Sequence, residues 1–371
     1  MLLDWQQILI LLLMEIKELN KWPRKSYWIS IIGSRRFQKG VNEKVNVNPI
    51  MFCNQVMRVS VCEKYLGDYV SSSLSDSVFR TVQKRKGLSK RLISEIKITI
   101  EDIRSKTVGG LIAGIDIWNM AVVPFLLNNC DTWMEIPKKA LKILNSIQNS
   151  FFVTLFGTAT SCPIPIFYWD TGILSVENFI ILKKLLLFHH ILSLDDDALS
   201  KEIMMIQIKK ELPGLAAECL SFLRDLNMDP DPLVYSKLHW NKTIKLKLHE
   251  RNRIQLLNQI KLYSKLEHSK LSEEEYGLKD YIRNMNINDA RTYFAMRGRM
   301  LRTVQMNYKN KPEYAANQYK CICGEDDHQV HLTSCPSYAH LREGLDVETS
   351  DTDLVRYYQL IIREREQRED N

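Results

Sequence analysis

Residues 109–127 read GGLIAGIDIWNMAVVPFLL, and their apolar side chains fall on nearly every side of the helix that their spacing predicts. A helix that is apolar almost all round belongs in the middle of a hydrophobic core. The segment therefore predicts a mainly helical protein with residues 109–127 at the centre of its core.

Amphipathic helices are predicted on both sides of this segment. Residues 78–103 place apolar side chains on one side and basic ones on the other, and residues 138–156 carry a second apolar stripe. The apolar side of the first helix is formed by Val78, Val82, Leu88, Leu92, Ile96 and Ile100. Short strands are predicted at residues 28–32 and 56–61 from their β-branched side chains. The predicted fold class is mainly α, a helical bundle with a short β edge near the N-terminus.

Size and composition fit a globular protein of two or three domains. The chain has 371 residues, of which 45% are apolar and 26% charged. Its net charge of +7 suits a polyanionic partner, although a solvated basic surface explains the same number. Repeated proline, glycine and aspartate between residues 195 and 235 predict a hinge-like region there.

Cysteine usage and the N-terminal sequence bear on the compartment. The eight cysteines follow no regular framework, and the apolar run at residues 8–14 is followed by no small-residue cleavage site. That run is also shorter than the roughly 20 residues needed to span a bilayer. We therefore expect reduced thiols in a nuclear or cytoplasmic protein that is not secreted and has no membrane partner.

A cluster near the C-terminus has the composition of a zinc site. Cys321, Cys323, His331 and Cys335 offer thiolate and imidazole groups, which Zn²⁺ prefers in tetrahedral structural sites. Gly324 permits a tight turn that aims both sulfurs inward, and the spacing of four between His331 and Cys335 places them on one helix face. The single residue between the first two cysteines is shorter than usual. Two alternatives stay open, namely reduced thiols beside a surface histidine, and His328 as a replacement ligand.

Several stretches in fixed order carry a resemblance to a known family. They are Lys64-Tyr65-Leu66-Gly67, Lys84-Arg85-Lys86-Gly87-Leu88, Pro124-Phe125-Leu126-Leu127 with Trp133, and the block ending His189-His190. They resemble the region downstream of the catalytic palm in reverse transcriptases of non-LTR (LINE-like) retrotransposons, and the cysteine–histidine cluster resembles the zinc knuckle of the same proteins. The resemblance covers roughly residues 40–345, and its specificity lies in the matching order.

The resemblance implies a helical, thumb-like domain followed by basic helices and a zinc-knuckle-like tail. The predicted parts are residues 1–62 with an N-terminal helix and palm-edge strands, 63–200 as the thumb, 201–310 as a helical connector with basic helices, 311–345 as the knuckle, and 346–371 as a charged helix that is expected to be solvated. The family's adjacent aspartate pair has no counterpart between strands here, because Asp195-Asp196-Asp197 and Asp326-Asp327 lie in polar loops. We therefore expect a truncated polymerase fragment with no catalytic residues, no need for Mg²⁺ and no polymerase activity of its own.

Basic residues are the candidate contacts to nucleic acid, because lysine and arginine neutralise phosphates without reading sequence. The candidates are Lys84, Arg85, Lys86, Lys90 and Arg91 on the helix predicted at residues 78–103, Lys245, Lys247, Arg251 and Arg253 on a long basic helix predicted at residues 238–266, and Lys320 beside the cluster. Tyr319 and Tyr338 are candidate stacking partners for unpaired bases. Two functions follow, either sequence-independent binding of RNA or DNA, or a non-catalytic relic or co-opted helical scaffold that binds a protein. The sequence does not specify an oligomeric state.

Overall fold

The computed structural model describes residues 28–29, 51–52, 55–56, 58–59, 62–65, 68–71, 74–102, 108–134, 136–158, 162–263, 266, 274–300, 320–327 and 329–369. The helix predicted at the start of the chain lies outside these residues. So do Tyr319 and the candidate ligand His328.

The predicted mainly-α fold class is confirmed by thirteen α-helices among the described residues. They are α1 (Leu74–Asp102), α2 (Gly110–Ile117), α3 (Val123–Leu126), α4 (Lys138–Phe156), α5 (Ile164–Thr171), α6 (Val176–Leu192), α7 (Leu199–Lys209), α8 (Leu215–Asp225), α9 (Lys237–Ile260), α10 (Asp280–Asn284), α11 (Ile287–Arg297), α12 (Gln329–Ser334) and α13 (Asp351–Glu369). A further 3₁₀ segment, Pro336–Arg342, joins the last two.

Strands occur only in short pairs within the described residues. They are β1 (Trp28–Ile29), β2 (Met51–Phe52), β3 (Gln55–Val56), β4 (Arg58–Val59), β5 (Cys62–Tyr65) and β6 (Asp68–Ser71). β1 pairs with β4 in parallel, while β2–β3 and β5–β6 are antiparallel pairs. The two predicted strand regions therefore do contribute to a small β edge.

The chain forms two compact units that are interleaved in sequence. The first unit comprises Met1–Leu88, Leu126–Asn145 and Lys183–Val234, and the second comprises Ser89–Phe125, Ser146–Leu182 and Tyr235–Asn371. Among the described residues of the first unit, Lys184 is buried and pairs with Glu218. The limits of the five predicted domains stay predictions.

An aromatic core holds the second unit together. Trp118 stacks on Phe151 with ring centroids 4.3 Å apart, and Phe294 of α11 lies 4.1 Å from Phe156 and 4.8 Å from Phe167. Aromatic pairs at such distances add to the free energy of burial. The core thus connects α4 and α5 with α11, the helix that also packs against the C-terminal helix α13.

The apolar segment at residues 109–127 is a core element, but one side of it reaches solvent. Trp118 and Val122 are fully buried, whereas Met120 is 73% exposed. Between α2 and α3 the backbone widens into a π-helical turn, Trp118–Val122, where the Val123 amide donates to the carbonyl of Trp118. Pro124 follows directly and has no amide to donate, so a change in hydrogen-bond register is expected here.

Close packing of α2 requires a glycine. A Cβ atom on Gly110 would lie 2.3 Å from Cγ1 of Ile287 on α11. The two helices approach each other at this point because Gly110 has no side chain.

The hinge-like region predicted at residues 195–235 is wrong for most of its length. It contains α7 and α8, whose Met204 and Cys219 side chains are buried. The predicted turn residues are present, but they separate two short helices instead of forming an irregular linker. Among the described residues, no helix is both long enough and apolar enough to cross a lipid bilayer.

Candidate metal centre

Four side chains of the predicted zinc cluster come together in the structure. The ligand atoms of Cys321, Cys323, His331 and Cys335 all lie within 4.8 Å of one another. The sulfurs of Cys321 and Cys335 are 3.6 Å apart, and the Cys323 sulfur is 3.1 Å from Nε2 of His331. These four groups could hold a metal ion between them.

The first two ligands lie on a tight turn. The Cys321 amide donates to the carbonyl of Glu325 at 2.7 Å, and the Gly324 amide donates back to the carbonyl of Cys321 at 2.8 Å. Gly324 has a φ of +92°, a conformation that a side chain disfavours. This turn lets both sulfurs point to one side although only one residue separates the cysteines.

The other two ligands belong to α12 and the residue after it. His331 lies within α12, and Cys335 follows its last residue and begins the 3₁₀ segment Pro336–Arg342. Cys335 and Cys321 are buried, whereas Cys323 is partly exposed. The four ligands therefore come from two backbone segments that meet at a mostly buried point.

The spacing of these atoms fits a tetrahedral ion. With the usual Zn–S distance of about 2.3 Å and Zn–N distance of about 2.0 Å, two sulfurs lie about 3.8 Å apart and a sulfur and a nitrogen about 3.5 Å apart. The Cys321–Cys335 separation of 3.6 Å is close to the first value, and the Cys323–His331 separation of 3.1 Å would widen slightly. Four protein groups would complete the coordination shell of an ion held here, as they do in structural zinc sites.

The thiols differ in their electrostatic environment. Burial raises the pKa of the Cys321 thiol to about 11. The pKa of Cys323 lies below its ordinary value, because hydrogen bonds from the Glu325 amide and the neighbouring thiols outweigh the desolvation that would raise it. Cys323 thus loses its proton more readily than the buried Cys321 does.

A small hydrophobic core surrounds the cluster. Leu332, Tyr338 and Tyr357 are among its buried members, together with Val355 and Ile361 of α13. The expectation that the charged C-terminal helix is solvated is therefore wrong for one of its faces. The apolar residues of α13 lie on one side of the helix, and the charged side faces water. Along the sequence the two kinds of residue are therefore interspersed, and the helix was predicted to be charged throughout.

Of the two predicted nucleic-acid contacts beside the cluster, one is buried and the other is exposed. Tyr338 is 1% exposed, so its ring cannot stack on a base as predicted. Lys320 is exposed, and its ammonium lies 2.6 Å from Asp326, which has 63% of its side chain in solvent. An ion pair this exposed contributes little to stability and does not prevent Lys320 from reaching a phosphate.

Arg85 is the predicted phosphate contact that the structure contradicts. Its guanidinium is buried, ion-paired with Asp68, and donates to the carbonyls of Leu126 at 3.1 Å and Asn128 at 2.9 Å. The buried stripe of α1 includes Val78, Val82, Arg85, Ser89, Ile93 and Ile96. Arg85 lies in this stripe, while Leu88, which was expected there, is 51% exposed. The spacing of three and four residues along this stripe predicts that Arg85 lies on the buried side. Basic residues were instead assigned to the exposed side by their type alone.

We expect Arg85→Ala to lower the free energy of unfolding by about 2–3 kcal/mol, because it leaves a partly buried carboxylate and two carbonyls without their donor. The exposed neighbour Lys84→Ala is the matched control and should change it by less than about 0.5 kcal/mol. Urea denaturation of both variants measures the difference. Equal effects of the two substitutions would contradict a structural role for Arg85.

The remaining basic candidates are distributed over separate surfaces. Three of them are partly buried, namely Lys86, Arg251 and Arg253. Five are exposed, namely Lys84, Lys90, Arg91, Lys245 and Lys247. Arg253 is committed to a pair with Glu250 at 2.8 Å. Lys245 and Lys247 are two positions apart on α9, so they point to nearly opposite sides of the helix and cannot act on one strand of nucleic acid together.

One side of α9 is basic, and this side was not predicted. Lys245 and Lys247 were grouped because they are close in sequence, although they lie on different sides of the helix. Four exposed residues share one side of the helix because they are spaced three or four positions apart, namely Leu238, Lys242, Lys245 and Leu246. We call these four residues the α9 basic face. The opposite side of this part of α9 is buried through Trp240, Ile244 and Leu248.

Comparison of the chain with protein-family models, with curated proteins and with solved structures finds no match. The resemblance to reverse transcriptases of non-LTR retrotransposons therefore stays a prediction that rests on the quoted residues.

Proposed function

We propose that this chain binds single-stranded nucleic acid without reading its sequence, and that a structural zinc ion organises its C-terminal part. The observation that carries the proposal is the Cys321–Cys323–His331–Cys335 cluster, in which four zinc-type ligand atoms lie within 4.8 Å of one another. Because all four positions are protein ligands, the ion would fix the fold of this region and would not activate a water molecule.

Charge and surface geometry support the choice of nucleic acid as the partner. The chain carries a net charge of +7, and the α9 basic face presents two lysines beside two exposed leucines. Lysine ammonium groups neutralise phosphates and release counterions, while small zinc modules in nucleic-acid-binding proteins contact unstacked single strands. The resemblance to a retrotransposon polymerase points to the same class of partner.

Metal analysis of the purified full chain tests the zinc part of the proposal. We expect about one zinc ion per chain, and a cobalt-substituted sample with the absorption bands of tetrahedral thiolate coordination. A preparation that binds neither zinc nor cobalt at micromolar concentration would contradict it.

We expect the affinity for a labelled single-stranded oligonucleotide to fall steeply with salt, and Lys242→Gln/Lys245→Gln to reduce that dependence. Removing two phosphate contacts should lower the slope of log K against log salt by about 1.4 for a single strand. Fluorescence anisotropy between low and moderate salt measures both slopes.

The control is Lys209→Gln/Lys210→Gln, which removes the same charge from an exposed surface at the end of α7. It should leave the slope near that of the unsubstituted chain. An affinity that is flat with salt, or equal slopes for the two double variants, would count against the α9 basic face. Flat binding would favour the alternative of a helical scaffold that binds a protein.

A further inference from the structure

The two halves of the metal centre are held by a third element, the C-terminal helix α13. Cys321 and Cys323 lie in the loop that ends at Asp327, and His331 and Cys335 lie in or directly after α12. Side chains of α13 bond to both halves. The relative position of the four candidate ligands therefore depends on α13, which supplies no ligand itself.

The loop half is held through a buried ion pair. Asp327 is 0% exposed, and Arg365 of α13 binds both of its carboxylate oxygens, at 2.9 Å and 2.6 Å. The same guanidinium donates from Nε to the hydroxyl of Tyr338 at 3.0 Å and lies over the Tyr338 ring. Two parallel bonds from a planar guanidinium fix orientation as well as distance. Arg365 therefore fixes the end of the loop that carries the two cysteines.

The helix half is held through two neighbouring tyrosines of α13. The Tyr357 hydroxyl donates to the carbonyl of Leu332 at 2.7 Å, and the Tyr358 hydroxyl donates to the carbonyl of Gln329 at 3.1 Å. Arg342 extends this contact, because its Nη1 bonds to the Tyr357 hydroxyl and to the carbonyl of Cys335, both at 3.0 Å. α13 thus holds the backbone on both sides of His331 and, through Arg342, that of Cys335.

We propose that α13 preorganises the metal centre, with Arg365 as its main positioning residue, and that metal binding and docking of α13 stabilise each other. The proposal rests on the metal site proposed above. Ligands bind an ion tightly when surrounding groups already hold them in the required geometry. Coupling between two binding events is reciprocal, so a metal that prefers the docked state must also favour docking.

Metal affinity of the full chain tests the positioning role. We expect Arg365→Ala to weaken zinc binding by about 10–100-fold in competition with a chromophoric chelator, the range found when groups supporting metal ligands are removed. Its cobalt derivative should show altered thiolate bands. Arg365→Lys keeps the charge but loses the planar fork, so its affinity should lie between those of Arg365→Ala and the unsubstituted chain.

Arg363→Ala is the matched control, since Arg363 is exposed on the same helix. It removes the same charge and should bind zinc as the unsubstituted chain does. If Arg365→Ala fails to fold, Arg365→Lys and Tyr357→Phe are compared with the control instead.

Hydrogen exchange provides the reciprocal measurement. Addition of zinc to the metal-free chain should slow amide exchange in α13, and the effect should be smaller in Arg365→Ala. The proposal fails if Arg365→Ala and Arg363→Ala bind zinc within twofold of each other, or if zinc leaves α13 exchange unchanged. In both cases the unsubstituted chain still binds zinc, and the proposed function stands. A chain that binds no zinc overturns both proposals.

Discussion

Cys335→Ser is expected to lower the zinc content from about one ion per chain to below about 0.1, and to loosen the residues around the cluster. Cys335 is fully buried, and its sulfur lies 3.6 Å from that of Cys321. A hydroxyl in this place is a poor zinc ligand, so three ligands remain in a site that needs four. Zinc binding by small structural sites is worth about 10–16 kcal/mol near neutral pH, and this free energy is coupled to folding.

The loss should be local, because the second unit has an aromatic core that contains no metal ligand. We expect faster hydrogen exchange in residues 320–369, with little change around Phe151 and Phe294. Cys219→Ser is the matched control, since it makes the same change at a buried cysteine outside the cluster. Zinc content that is equal in Cys335→Ser and Cys219→Ser would rule out the site.

The candidate metal centre was predictable because the four side chains that could hold an ion are close in sequence and chemically distinctive. Four residues from position 321 to 335 supply the donor set, and the glycine that shapes the turn, Gly324, directly follows the second cysteine. The unusual spacing of the first pair is accommodated by the positive φ of Gly324. All four side chains lie within one short stretch of sequence, so residue types and spacing are sufficient to identify the donor set.

The support of the site was not predictable in the same way. Asp327 and Arg365 are 38 residues apart, and nothing local to either residue indicates that they meet. The aspartate was read as part of a polar loop and the arginine as part of a solvated helix. Only the packing of α13 brings them together, and packing of distant elements leaves a weak trace in a single sequence.

The basic surface illustrates a different limit. Hydrophobic periodicity located α1, yet its faces were assigned from residue type, which placed Arg85 on the exposed side and Leu88 on the buried side. A buried arginine is a rare exception to the rule that charged residues lie outside, and it needs a partner such as Asp68 and carbonyl acceptors. Those acceptors are 41 and 43 residues further along the chain.

A second long-range pair lies in the core of the second unit. Asp170 of α5 is 0% exposed, and Arg297 at the end of α11 donates to it from Nε at 2.8 Å and from Nη2 at 2.9 Å. Tyr281 adds a third bond to the same carboxylate, at 2.8 Å. Arg297 also binds Glu274 through two bonds of 2.9 Å and 2.6 Å. The guanidinium thus joins α5 to a carboxylate that lies 23 residues before it in the chain.

Arg297→Ala is expected to lower the free energy of unfolding by about 3–5 kcal/mol, because it leaves the buried Asp170 carboxylate without its guanidinium and with only the Tyr281 hydroxyl bonded to it. The double variant Asp170→Asn/Arg297→Met removes both the buried charge and its partner, so it should be more stable than Arg297→Ala. Urea denaturation of the two variants measures the order. Arg283→Ala, at an exposed position of α10, serves as the control and should change stability by less than about 0.5 kcal/mol.

The same network predicts how stability responds to acid. Arg297 and Lys279 hold the pKa of Glu274 below its ordinary value, although partial burial acts in the opposite direction. A depressed pKa means that the unfolded chain binds the proton more tightly, so the Glu274 contribution is present above the ordinary glutamate pKa of about 4.3 and is lost as the pH falls through the lower, folded value. Glu274→Gln should therefore flatten the loss of stability in acid and reduce stability at neutral pH. The network does not stabilise the fold if Arg297→Ala is as stable as Arg283→Ala and Glu274→Gln loses stability in acid as steeply as the unsubstituted chain does.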